Sequence, residues 1–397
     1  MRNYSIKDLR WSDRGHELDD FAVRIANPDN QFYIYGNGRE IEEFYERVGK
    51  YFADNIGGCV CMQGEIKEEL HICEETEIPD MENTRIICTC KDRKKYVELR
   101  EKWDKKGYRE NEKFFQGEVF EMVYEVYVKN EVKLDRIEVF LTSCCTLNCE
   151  KCISYIPYFK KPVVIPLQQL KEDADLLFDK VDYVYKMKLL GGEVLLYPYL
   201  IEYIDYLYQY YGERIGSIRI GTNGTVFPGP AVLEMCRRDH VTIDISDYTQ
   251  AVPNMCMLDE VKRICEDNGI SVDVKRTGEQ WLDMGFPNNL PEERTEEALR
   301  EHFHKCAMFC RQYNNGKYFF CCSNFAAVCA EMFSEDENDY LDFRQDFTKK
   351  ELLEFELGYS RKGHTTFCNV CRGCSEEANA CHVEVAKQIN RENRRLV

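Results

Sequence analysis

The feature that most constrains this chain is a run of three cysteines, Cys145, Cys149 and Cys152, at x3 and x2 spacings. It directly follows the strand-like stretch Ile137-Glu138-Val139-Phe140-Leu141. Thiols this close on one loop either share a metal centre or sit as small buried hydrophobes. The whole chain holds 21 cysteines in 397 residues. The opening Met1-Arg2-Asn3-Tyr4-Ser5-Ile6-Lys7-Asp8 lacks the apolar core of a signal peptide. No stretch approaches the roughly 20 apolar residues of a membrane span. The expected compartment is therefore the reducing cytoplasm, where a disulfide framework is disfavoured and metal or cluster ligation competes.

Charge and length narrow the class. A net charge of −18 argues against a nucleic-acid binder and against an anionic membrane surface. With 44% hydrophobic residues the chain can fill several cores, and its length predicts two or three domains.

Residues 1–130 read as a small α/β module. Phe32-Tyr33-Ile34-Tyr35 is strand-like, meets Gly36-Asn37-Gly38, and is followed by a helical stretch over 39–55. A second strand over 84–90 precedes a charged helix over 92–106, which Gly107 stops. From 131 to 300 strand and helix signals alternate. Strands are predicted at 137–141, 185–190, 217–221, 241–245 and 271–275, and helices at 167–180, 199–211, 231–238 and 258–268. Repeated β–α units imply a parallel sheet, open or curled into a barrel. Residues 281–291, rich in Gly, Pro and Asn, read as a linker or lid. Residues 301–397 carry nine cysteines and little periodicity, and read as a segment that metal holds together.

Three thiolates on one loop can wrap one face of a cubane cluster, which normally takes four. The missing fourth leaves one iron open to a ligand. A zinc knuckle or plain buried thiols is the bland alternative, although zinc prefers four closed ligands and no nearby His offers one. Cys144 competes with Cys145, but the x3–x2 register begins at Cys145.

The Cys-x3-Cys-x2-Cys loop after a first strand resembles the signature of the radical S-adenosylmethionine superfamily. Gly191-Gly192-Glu193 resembles that family's Gly-Gly-Glu motif after the second strand, which binds the amino group of the methionine moiety. Thr222-Asn223-Gly224 resembles a segment at the end of the fourth strand, near the cofactor, and Ser246-Asp247-Tyr248 would reach the ribose. The match covers residues 136–250. It implies a partial (β/α)6 TIM-like barrel, with a [4Fe–4S] cluster on Cys145, Cys149 and Cys152. It also implies S-adenosylmethionine at Gly191, Gly192, Glu193, Thr222, Asn223, Ser246 and Asp247. The implied chemistry is reductive cleavage of the sulfonium to a 5′-deoxyadenosyl radical that takes a substrate hydrogen. A flavodoxin- or ferredoxin-type protein would supply the electron.

Cys306, nine residues, Gly316, four residues, Cys321 resembles the opening of the SPASM and twitch extensions of the same superfamily, and Cys368-Asn369-Val370-Cys371 resembles their continuation. Cys374 and Cys381 depart from the full SPASM spacing. The twitch type, with one auxiliary [4Fe–4S] cluster on Cys306, Cys321, Cys368 and Cys371, is the expectation; Cys310, Cys322 and Cys374 are rivals, and a zinc ribbon is the alternative.

Gly36-x-Gly38-x-x-Ile41 is an incomplete dinucleotide fingerprint, so the amino-terminal unit reads as a truncated Rossmann-like module that docks a substrate or partner. Cys59, Cys61, Cys73, Cys88, Cys90, Cys236, Cys256 and Cys265 read as buried small hydrophobes. Tyr155, Tyr158, Tyr197 and Tyr248 lie near the predicted site. The expected activity is oxidation of an alcohol carbon in a sugar, cyclitol or nucleotide-linked substrate. Maturation or epimerisation of a ribosomal peptide is the alternative, with Cys256 or Cys310 as hydrogen donor. A non-catalytic zinc scaffold is the third reading.

Overall fold

The computed structural model describes residues 9–66, 70–276, 280–306, 310–375 and 380–389. The chain divides into two compact units. The first takes residues 11–132 and 348–357; the second takes the chain from residue 133 onward apart from that stretch. The segment expected to stand alone from residue 301 is therefore shared between both units.

The first unit begins with helix α1 (Asp19–Ile25). It continues through β1 (Gln31–Gly36), α2 (Gly38–Arg47), β2 (Ile56–Cys61), β3 (Thr84–Cys88), α3 (Arg93–Asp104), β4 (Phe114–Gln116) and α4 (Gly117–Tyr124). The strands form one parallel sheet in the order β2-β1-β3-β4. The single helix predicted over 39–55 ends at Arg47, and a 3₁₀ turn follows over Gly49–Asn55. The break at Phe52 turns its ring onto Phe32, Phe44 and Phe120, with ring centroids 5.1–6.3 Å apart. Burial of that aromatic surface outweighs continuation of the helix. The amide of Gly38, which a bound phosphate would need at a helix start, donates instead to the Gln63 carbonyl at 2.9 Å. Among the described residues this loop is thus closed by the chain's own backbone.

The second unit is organised by an eight-stranded sheet. Its elements begin with β5 (Lys133–Leu134), β6 (Ile137–Thr142), α5 (Leu167–Lys180), β7 (Tyr183–Val184), β8 (Met187–Gly191) and α6 (Leu200–Tyr211). They continue with β9 (Ile218–Thr222), α7 (Pro230–Arg238), β10 (Thr242–Asp247), α8 (Leu258–Asp267) and β11 (Val272–Arg276). The last set is β12 (Gln280–Asp283), α9 (Glu296–Lys305), β13 (Gln312–Asn314), β14 (Lys317–Phe319), α10 (Cys322–Cys329), β15 (Tyr340–Asp342) and β16 (Cys381–Glu384). The sheet order is β11-β10-β9-β8-β6-β13-β14-β15. From β6 to β11 every pair is parallel, one helix per crossover. On α5, Leu170, Asp173, Ala174, Leu177 and Phe178 are buried, a stripe of period 3.6.

On its other side β6 takes β13, and β13, β14 and β15 continue antiparallel. This is why residues 312–342 belong to the same body as the parallel strands. The Asn315-Gly316 turn between β13 and β14 has positive φ at both residues, 53° and 64°, as a two-residue hairpin requires. Buried Asp173 accepts from both turn amides, at 2.8 and 2.7 Å. The stretch read as a linker or lid is in part strand: β12 pairs antiparallel with β16, so a partner about 100 positions away orders it. Thr222-Asn223-Gly224 follows the third of the five parallel strands, not the fourth.

Candidate cluster and cofactor site

The Gly191-Gly192 turn is forced by how closely it passes the cysteine loop. A Cβ on Gly191 would stand 2.4 Å from the Thr142 carbonyl oxygen, and one on Gly192 would stand 2.3 Å from that of Cys144. The same carbonyls accept from the Gly192 and Glu193 amides, both at 2.7 Å. The end of β8 is thereby fastened to the start of the cysteine loop.

Glu193 continues the fastening. Its side chain is fully buried. Oε1 accepts from the Leu195 amide at 3.1 Å, and Oε2 accepts from Thr222 Oγ1 at 3.0 Å and from the Asn223 amide at 2.8 Å. Burial pushes its carboxyl above the ordinary value, against these hydrogen bonds. Its oxygens thereby join the loop after β8 to the loop after β9. Asn223 carries the network on, its Nδ2 donating to Thr146 Oγ1 at 3.2 Å and to Cys145 Sγ at 3.5 Å.

Cys145, Cys149 and Cys152 line one cavity of about 510 Å³. Gly191, Gly192, Thr222, Asn223, Ser246 and Tyr248 share that lining; Glu193 and Asp247 do not. Asp247 accepts instead from the amide and hydroxyl of Thr249, at 3.1 and 2.6 Å. Burial pushes the Cys145 and Cys149 thiols up to about 12. Thiolates there need positive charge and donors close by. Donors are present: the Leu147 amide points at Cys145 Sγ from 3.4 Å, and Gln388 Nε2 at Cys149 Sγ from 3.3 Å. Gln388 belongs to a segment that pairs with the loop, since Glu150 N donates to Lys387 O at 2.8 Å and Ile389 N to Asn148 O at 2.9 Å.

A second wall of the cavity is charged. Arg136, Glu138, Lys188, Asp244 and Lys275 face it from adjacent strands. Asp244 binds Arg219 Nε at 2.7 Å and stands 3.2 and 3.3 Å from the Lys188 and Lys275 ammonium groups. Burial opposes its charge, but these three cations outweigh burial and hold its carboxyl below the usual range. The sequence reading missed this wall. Its signal was present: Glu138, Lys188, Arg219, Asp244 and Asp273 each interrupt an apolar strand; Glu138, Lys188 and Arg219 align in register, Asp244 aligns with Asp273, and Asp244 stands two residues beyond Thr242, the partner of Arg219, on the same face.

Farther along the chain, Cys306 caps α9, Cys321 caps α10, and Cys368 lies in a 3₁₀ turn closely followed by Cys371. Cys321 and Cys371 each feel the charges of the other three thiols or of two of them, so the four form one group. Arg294 Nη1 holds the carbonyls of Cys368 and Cys371, at 3.0 and 2.9 Å. The Tyr155 hydroxyl is buried without a hydrogen-bond partner. The thiols of Cys371, Cys321, Cys322 and Cys152 surround it. An acceptor such as a cluster sulfide would satisfy it. The rivals Cys310, Cys322 and Cys374 pack against the same core as these thiols and also line the wall of the cavity. Cys256 packs behind the cysteine loop against Leu147 and Cys149, away from the lining. Tyr158 accepts from Asn288 Nδ2 at 3.0 Å, and Tyr197 donates to the Ile165 carbonyl at 2.8 Å.

A three-thiol loop at the carboxyl end of a parallel strand, opening on a largely apolar cavity with one charged wall, is the layout of a cluster-binding α/β domain. Residues 139–293 match the family model of the radical SAM superfamily, and this stretch is a radical S-adenosylmethionine domain. That family's cofactors are a [4Fe–4S] cluster and S-adenosylmethionine, and the three donor-flanked thiols fit the cluster. No curated protein matches the chain. Among solved structures, Streptococcus suis SuiB bound to S-adenosylmethionine is 14% identical, with a TM-score of 0.28, over 38% of this chain and 35% of SuiB. Native anSMEcpe with bound AdoMet is 11% identical, with a TM-score of 0.37, over 60% of this chain and 88% of that one. BtrN in complex with AdoMet and 2-DOIA is 14% identical, with a TM-score of 0.37, over 63% of this chain and all of that one (100%). The chain thus spans about a third of the length of SuiB. Among the described residues no helix is long and apolar enough to cross a membrane.

Proposed function

We propose that this protein is a radical S-adenosylmethionine oxidoreductase of a small hydroxylated substrate, with a partial (β/α)6 barrel and one twitch-type auxiliary [4Fe–4S] cluster. The observation that carries the reading is the single cavity lined on one side by Cys145, Cys149 and Cys152 and on the other by buried strand charges. Bound together, the cluster and S-adenosylmethionine supply a 5′-deoxyadenosyl radical that takes a hydrogen atom from the substrate. Cys145, Cys149 and Cys152 hold the cluster. The turn at Gly191-Gly192 and the side chains of Thr222, Asn223 and Ser246 line the place of the S-adenosylmethionine. Glu193 positions those loops from behind.

Glu138, Lys188, Asp244, Lys275 and Gln312 supply donors and acceptors of both signs on one wall. Such a wall suits the hydroxyls of a sugar, cyclitol or nucleotide-linked substrate, and it favours a small polar molecule over a peptide. Cys306, Cys321, Cys368 and Cys371 hold the auxiliary cluster, an electron acceptor for the substrate radical. A reduced flavodoxin or ferredoxin serves as donor to the first cluster. The amino-terminal Rossmann-like module docks substrate or partner.

The test is iron and acid-labile sulfide per chain after anaerobic reconstitution, for wild type and for Cys145→Ala/Cys149→Ala/Cys152→Ala. About eight irons, dropping to about four in the variant, is the expected result. Zinc without iron would sink the reading. Formation of 5′-deoxyadenosine stimulated by a polyol and not by peptides then supports the substrate class.

A further inference from the structure

The cavity contains a third set of metal-ligating atoms. One carboxylate oxygen of Glu138 and the sulfurs of Cys310 and Cys322 all lie within 4.8 Å of one another. Two ligands on one ion can be no farther apart than the sum of their bonds, about 4.6 Å for two zinc–sulfur bonds of about 2.3 Å. Around a tetrahedral zinc the ligand atoms stand roughly 3.5–3.8 Å apart, so this set needs at most about 1.3 Å of closure to share a single ion. Thiolates on a cubane sit on different irons and stand wider apart.

The backbone holds this set in place. The Cys322 amide donates to the Cys310 carbonyl at 3.2 Å, and the Glu138 amide to the Arg311 carbonyl at 2.9 Å. Glu138 lies in β6, Cys310 just before β13 and Cys322 at the start of α10, so three elements converge. Glu138 is only 2% exposed, and its carboxylate also pairs with Arg136. Two thiolates and one carboxylate carry −3; a divalent ion and the Arg136 guanidinium return +3.

We propose that Glu138, Cys310 and Cys322 bind one zinc ion whose fourth position faces the cavity and takes an oxygen of the substrate. Mixed sulfur and oxygen ligands suit zinc, and three protein ligands leave the fourth position open. The ion would fix the substrate's orientation and favour its alkoxide, since zinc lowers the pKa of a bound hydroxyl. This substrate role rests on the radical reading above; the metal site does not.

The experiment uses the full chain, reconstituted anaerobically with iron and sulfide, then incubated with zinc chloride and desalted. Zinc and iron are counted in wild type, Cys310→Ser/Cys322→Ser and Glu138→Gln. About one zinc per chain in wild type, at least tenfold less in the double variant and iron steady near eight is the expected result. Steady iron also reports that the variants fold. Zinc-edge X-ray absorption on wild type needs no variant and should show two sulfurs with oxygen or nitrogen neighbours. Wild type without zinc would overturn the site. So would about twelve irons, because a third cluster would then hold these thiols. Three or four sulfurs on the zinc would overturn the open position. Zinc near one with iron absent would keep the site while the radical reading fails.

Discussion

At the residue scale, Glu193 ties two strand-end loops together. Its carboxylate gathers three donors from two loops and holds the cofactor-facing turns together. Glu193→Gln turns one acceptor into a donor against Thr222 and Asn223, stranding a buried polar group at a cost of about 1–3 kcal/mol. The expected outcome is a lower unfolding temperature together with weaker S-adenosylmethionine binding by calorimetry; unchanged binding would remove Glu193 from the positioning network. His302 gives a pH signature. Burial first, then the nearby charges of Arg294, His364 and Lys305, push its imidazole down to about 4. The unfolded chain then binds its proton more tightly, so stability is intact above about pH 6.5 and falls as the solution is acidified toward pH 4. Between pH 7 and pH 5 the loss is about 2 kcal/mol, and His302→Gln should flatten that part of the curve in denaturation experiments. The three loop cysteines, the glycine pair and Thr-Asn-Gly were legible because each is a local pattern at a strand end. The contacts of Glu193 were not, since its partners Thr222 and Asn223 lie about 30 positions away.

At the element scale, the parallel strands carry more information than their apolar residues. Period-two alternation puts the charge of each strand on one face, and the parallel register aligns Glu138, Lys188 and Arg219 in one row and Asp244 with Asp273 two residues further on. Asp244 is the hub, with three cations on one carboxylate. Asp244→Ala leaves those cations uncompensated in a buried place and should cost about 3–5 kcal/mol. A chemical-denaturation midpoint within error of wild type would show that the cluster is solvated and weak. The helices between these strands were readable within a residue or so, because amphipathic periodicity is local. The β13–β14 hairpin was also readable from Asn315-Gly316 between strand-like residues, but the cysteine spacing drew attention from it. β12 was not readable, because its partner β16 lies far along the chain.

At the scale of the whole molecule, the segment over 381–389 completes a site begun some 240 residues earlier. It pairs with β12, joins the cysteine loop at Cys149 and sends Gln388 toward that cysteine's sulfur. A hydrogen bond to a cluster ligand eases reduction. Gln388→Ala should therefore shift the midpoint potential of the first cluster to more negative values in an EPR-monitored titration, with the auxiliary cluster unmoved; no shift would mean that Gln388 only closes the loop. No single sequence reveals this return, since β16 resembles any short strand until its partner is known. The same return sets a clock on biosynthesis. Cys149 leaves the ribosome 239 residues ahead of Gln388, about 12–48 s at ordinary elongation rates. During that interval its loop lacks the strand that shields it, so a nascent chain offers bare thiols to iron, oxygen and stray zinc alike. Cluster delivery that waits for the finished chain would meet a closed loop, and premature loading would meet an open one.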